Sequence, residues 1–109
     1  MGQHWSKIKN KSNFPTSFLL LQNYPNPFNP ITTIEFSLPK TELTTLKIYN
    51  TLGQQVDALV SEKLSAGNYK YAWDASGMAS GVYYYRLIAG EYLETKKLVV
   101  LKWLLIKYR

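Results

Sequence analysis

The side chains that do covalent chemistry are nearly absent. There is one histidine, His4, and no cysteine. Zinc is held by about four Cys, His or carboxylate ligands, so this inventory leaves such a site short. A Ser-His-Asp relay would have to be built on His4, which lies in a polar, basic lead-in. The carboxylates Glu35, Glu42, Asp57, Glu62, Asp74, Glu91 and Glu94 are scattered. None forms a close pair in an apolar setting, as glycoside hydrolysis needs. They read as solvated charges on outer strand faces. Asp74 stands between Trp73 and a loop, and reads as a turn organiser that accepts from backbone N–H groups. Gly77 and Gly81 enclose Met78-Ala79-Ser80 without a following Gly-Lys-Ser/Thr, so they do not cradle phosphate. The chain is expected to be no enzyme and to carry no metal or cofactor.

Nine tyrosines make a second chemistry conceivable, the stacking of sugar rings on aromatic faces. Alternation places Tyr69, Tyr71 and Trp73 on one strand face, with Tyr83 and Tyr85 opposite, which is a core pattern. Tyr49 and Tyr84 are the better candidates for an exposed face. A generic Ig-like adhesion or carbohydrate-binding module is therefore the alternative function.

The elements that would position these residues are strands. Residues 18–21 are a short apolar run. In residues 22–30 the prolines Pro25, Pro27 and Pro30 exclude helix and interior strand, which predicts an extended loop pinned by Tyr24 and Phe28. Residues 31–38 alternate, with Ile34, Phe36 and Leu38 on one face, and Pro39 stops them. Residues 44–50 follow, Leu46 and Ile48 inward and Lys47 and Tyr49 outward, then a turn at Gly53. Residues 55–60 and 62–66 predict two short strands joined by a turn. Gly67-Asn68 signals another turn before the 68–74 strand, and residues 75–81 form a small-residue loop. Residues 82–89 alternate between Tyr83, Tyr85, Leu87 and Val82, Tyr84, Ile88. After Gly90-Glu91 a last strand covers 92–102. About seven strands without a convincing helix predict an antiparallel, Ig-like β-sandwich.

With 109 residues the chain has the length of one domain. The division expected is a flexible basic lead-in at 1–17, the sandwich at 18–102 and an apolar, basic extension at 103–109. Net charge is +6. The bases cluster at the ends (Lys7, Lys9 and Lys11; Lys96, Lys97, Lys102, Lys107 and Arg109), and the stretch between them has more carboxylates than bases. That distribution argues against nucleic acid, whose binders usually collect basic residues on one folded face. Residues 98–106 are apolar but broken by Lys102, far short of the ~20 residues a membrane helix needs. The start lacks an apolar signal region. Gly2 and Ser6 fit a loose myristoylation pattern, to which no function is attached.

Six segments, in order, resemble one family. Gln22-Asn23-Tyr24-Pro25-Asn26-Pro27-Phe28-Asn29-Pro30, followed by Thr32-Thr33-Ile34-Glu35-Phe36, is the first. Then come residues 48–56 with Gly53, residues 66–69 with Gly67, and Trp73-Asp74. Residues 80–87 with Gly81, Tyr83 and Tyr85 follow, and residues 95–101 close the series. This pattern is similar to the type A C-terminal sorting domains of type IX secretion, and overlaps the Ig-like domains related to flagellar hook-capping proteins. The resemblance implies a non-catalytic address label at the end of an exported protein. Its partners would be the outer-membrane type IX machinery and a sortase-like peptidase, with the cargo released or anchored at the cell surface. It also implies transit through the periplasm as part of a longer precursor, because this chain shows neither cargo nor export signal. No integral membrane span and a monomer are expected. The recognition strand is expected at Lys96, Lys97, Leu98, Val99, Val100, Leu101 and Lys102: an edge strand, its lysines in water, open to pairing by a partner.

Overall fold

The computed structural model of the chain describes residues 14–102. Seven strands follow one another: β1 (Leu19–Leu20), β2 (Ile31–Leu38), β3 (Glu42–Tyr49), β4 (Gln55–Leu64), β5 (Gly67–Asp74), β6 (Gly81–Ala89) and β7 (Tyr92–Val100). All named strand pairs are antiparallel. They form a three-stranded sheet, β1-β2-β5, and a four-stranded sheet, β4-β3-β6-β7. The two pack face to face as the sandwich that the alternating patterns predict.

Period-2 alternation is what fills the space between the sheets. Ile34, Phe36 and Leu38 of β2 and Trp73 of β5 come from one sheet. Leu46 and Ile48 of β3, Tyr83, Tyr85, Leu87 and Ala89 of β6, and Leu98 and Val100 of β7 come from the other. Each large apolar side chain so buried contributes about 1.5–3 kcal/mol. Phe36 stacks on Tyr69 and Tyr71, with ring centroids 5.3 and 5.9 Å apart. Trp73 meets Phe28 at 5.9 Å and the edge of Tyr83 at 5.8 Å. Such aromatic pairs add to plain burial. Tyr69, Tyr71, Trp73, Tyr83 and Tyr85 are therefore core or core-packed residues, as their spacing indicates.

Three expectations are corrected. Residues 55–64 form one ten-residue strand, not two. Its pairing with β3 shifts between Leu46 and Lys47 and again between Ile48 and Tyr49. A bulge sets two residues against one and breaks strict alternation, so Val56, Leu59, Val60 and Leu64 imitate an interrupted pattern. Gly67 and Asn68 are not the turn; they open β5, paired with Leu38 and Ser37. The last strand ends at Val100, not at residue 102.

The turn at 51–54 is organised by Asn50. Its Oδ1 accepts from the N–H groups of Leu52 and Gln54, both at 3.0 Å. Gly53 closes the turn at φ +83°, a region that L side chains rarely adopt.

Candidate functional site

The proline-rich segment and β7 form one assembly. Leu19 and Leu20 pair with β2, and Tyr24 bridges Thr33 of the same strand. Four residues later the chain has crossed to the other sheet, where Phe28 bridges Val100 in parallel. Residues 21–28 are thus a strap that closes one side of the sandwich. Tyr24, expected to pin it, is exposed; Phe28 does so, fully buried against Trp73.

A buried polar network fixes the strap. Asn23 N–H donates to the Tyr85 hydroxyl at 2.8 Å, and that hydroxyl donates to the Leu21 carbonyl at 2.7 Å. Asn23 Nδ2 donates to Thr32 Oγ1 at 2.9 Å and to the Pro25 carbonyl at 3.2 Å. Thr32 Oγ1 donates to the same Pro25 carbonyl at 2.8 Å. Among the described residues, no buried side-chain nitrogen or oxygen lacks a partner. Such satisfaction is what makes burial of Asn23 and Thr32 tolerable. Burial pushes the Tyr85 hydroxyl up to about 12, against a smaller opposing effect of the Asn23 N–H. Tyr85 therefore stays protonated and can donate.

The strap also covers the outer edge of β7. Gln22 Nε2 donates to the Lys97 carbonyl at 2.7 Å, and Val99 N–H donates to Asn26 Oδ1 at 3.0 Å. Phe28 N–H donates to the Val99 carbonyl at 3.1 Å, and Leu101 N–H to the Phe28 carbonyl at 2.9 Å. Asn26 and Phe28 thus hold the edge over Val99 and Leu101. β7 is an edge strand in its sheet, as expected, but its C-terminal half is not open to pairing.

The seven residues expected in the recognition strand divide accordingly. Leu98 and Val100 are fully buried. Lys96 pairs with Tyr85 on the inward-facing register and is half-buried, whereas Lys97 pairs with Tyr84 and faces solvent. The two lysines lie on opposite faces because strand side chains alternate. Val99 is half-buried and Leu101 exposed. Lys102 is tied down: its N–H donates to Ser80 Oγ and its Nζ to the Ser76 carbonyl, both at 2.8 Å.

The remaining motif residues lie in turns, at strand starts and in the core. Asp74 organises its loop, accepting from the Ser76 N–H at 2.9 Å and from the Ser76 hydroxyl. The Ser76 side-chain bond, then its backbone bond, hold the Asp74 carboxyl below its usual value. Gly67 and Gly81 begin β5 and β6 at φ +156° and +148°. Tyr83 donates to the Ala79 carbonyl at 2.8 Å. Asp57 was expected on an outer face; instead it reaches between the sheets and accepts the Trp73 indole N–H at 2.8 Å. Glu42, Glu62 and Glu94 likewise take inward-register positions at the sheet margins, paired with Leu64, Thr44 and Leu87. The bulges of β4 hid the parity of Asp57. The partnerships of Gln22 with β7 and of Thr32 with the strap are tertiary contacts that no local spacing signals.

A β-sandwich whose proline-rich opening is hydrogen-bonded to its last strand defines a structural module, built to hold a C-terminal strand in place. The model of the secretion system C-terminal sorting domain matches residues 22–101. The chain belongs to this family, which is non-catalytic and directs the secretion of attached cargo across the outer membrane by the type IX system. The matched range begins at the strap residue Gln22 and ends at Leu101, whose N–H closes the strap on β7. Neither the curated proteins nor the solved structures compared with the chain gave a match. Membership implies recognition by the secretion machinery and an outcome at the cell surface or outside the cell.

Proposed function

We propose that the type IX machinery reads the end of β7, with Lys97 on its outward face and the half-buried Lys96 on its inward register as the main contacts. Val99, Leu101 and Lys102 complete the contact. Leu98 and Val100 serve it from the core by holding the strand in register. The observation that carries this reading is the strap: it spends hydrogen bonds from Gln22, Asn26 and Phe28 on this one strand end. A surface presented to a receptor needs such fixed geometry. After crossing the periplasm within a longer precursor, the domain is removed by a sortase-like peptidase, and the cargo is released or anchored at the surface. The domain acts as a monomer and needs no nucleic acid. The expected division into lead-in, sandwich and extension belongs to the same proposal; residues 1–13 and 103–109 lie outside the described residues.

The test is an export assay. Residues 14–109 are fused behind a periplasm-targeted fluorescent protein in a host with type IX secretion, beside the same fusion ending at Lys102. Surface or medium fluorescence, lost in a host without the system, is the expected result. Lys96→Glu with Lys97→Glu should abolish it while circular dichroism still shows a folded sandwich. Normal export of that double variant would remove the assigned contact.

A further inference from the structure

The outer face of the four-stranded sheet has one sign of charge. By strand register it carries Lys47, Arg86 and Lys97 on three neighbouring strands, β3, β6 and β7. Lys63, paired with Leu43, adds a fourth cation on β4. The carboxylates of these strands, Glu42, Asp57, Glu62 and Glu94, all take the opposite register. Among the described residues the ion pair found is Lys40–Glu42, away from this face.

Arg86 is fixed without being neutralised. Its guanidinium lies over the Tyr49 ring, 5.2 Å from the centroid. Its Nε donates to Thr95 Oγ1 at 3.1 Å. Arg86 lines a groove with Tyr49, Asn50, Thr51, Gly53, Tyr84 and Thr95, and its two terminal nitrogens make no hydrogen bond among the described residues. An arginine held in this way presents two parallel donors, the geometry that takes a carboxylate. Fixed arginine beside exposed tyrosine is also the composition of protein-binding hot spots.

The groove is poorly equipped for a sugar. Sugar hydroxyls donate as well as accept, so their sites need strong acceptors. This groove has no carboxylate, and Asn50 spends its side chain on Leu52 and Gln54. Thr95 Oγ1 already receives Arg86, so the side-chain acceptors left are neutral hydroxyls, of Thr51 and the two tyrosines. What the face offers is cationic donors and aromatic surface.

We propose that this face docks an acidic peptide segment of a partner protein, with Arg86 taking a carboxylate and Tyr49 and Tyr84 packing beside it. The site stands apart from the strand-end contact proposed above, apart from the shared Lys97, and its test does not depend on export.

The full chain, labelled with 15N, is titrated with hexaglutamate, with hexaglutamine as the neutral control and with glucuronate and inorganic phosphate as the competing anion classes. Hexaglutamate should give saturating shifts confined to Tyr49, Tyr84, Arg86, Thr95 and Lys97, including the Arg86 Nε–H. Affinity should fall by about tenfold or more in Arg86→Gln, partly in Arg86→Lys, and steeply with added salt. Lys70→Gln, on the other sheet, should change nothing. Unaltered affinity in Arg86→Gln, or shifts spread over the basic chain ends, overturns the site. Glucuronate or phosphate binding as tightly as the peptide overturns the class of partner.

Discussion

Phe28 and Val100, 72 residues apart in sequence, form a parallel bridge that fastens the opening of the domain to its last strand. Phe28 also buries its ring against Trp73, so one residue serves both the core and the edge. Phe28→Ala should cost about 3–5 kcal/mol in urea unfolding, the range for large aromatic truncations. Amide exchange at Leu101 should rise beyond what global destabilisation explains, because its acceptor moves with the strap.

Tyr85 predicts a different signature. Tyr85→Phe leaves the Asn23 N–H and the Leu21 carbonyl without a partner, which should cost about 1–3 kcal/mol. Tyr84→Phe, on the exposed face, should stay within about 0.5 kcal/mol. The folded hydroxyl titrates at about 12 and the unfolded one near 10, so the protonated form is favoured by folding. Its contribution is complete below pH ~10 and is lost as pH rises through about 12. Tyr85→Phe should remove this part of the alkaline slope in a pH series of urea midpoints.

Asp57 ties the sheets together through the Trp73 indole. Asp57→Ala should cost about 1.5–3 kcal/mol, the range for a hydrogen bond to a charged group. Asp57→Asn keeps an acceptor and should recover part of it. Tryptophan fluorescence during urea unfolding reads both variants.

Asp74 acts at the acid end. Its carboxyl is depressed in the fold by Ser76, so its contribution is present above the ordinary carboxylate pKa and is lost as pH falls through the folded value. Ser76→Ala removes the side-chain donor, and an NMR titration should show the Asp74 pKa rising. An unchanged value would mean that the backbone bond alone sets it.

Gly53 tests the turn. Nothing lies within 4 Å of a Cβ built there, so Gly53→Ala meets only the cost of its backbone conformation at φ +83°. That is about 1–2 kcal/mol in a thermal or urea melt. Gly53→Asn should cost less, since Asn tolerates the left-handed region.

Residue order alone set the strands and the faces they bury. Alternation over 31–38, 44–50 and 82–89 places Ile34, Phe36, Leu46, Ile48, Tyr85 and Leu87 inward, because side chains repeat every two residues and one face of each sheet must leave water. The ordered motifs also identified the family. Where the bulges of β4 fall was settled by packing in three dimensions, since an unpaired residue has no local signature and shows itself only against a partner strand. The same packing brings Asp57 to Trp73, holds Arg86 over Tyr49 and closes the edge of β7 with the strap. Each joins residues distant in the chain, and their partnership is set by how two sheets and one crossing segment pack.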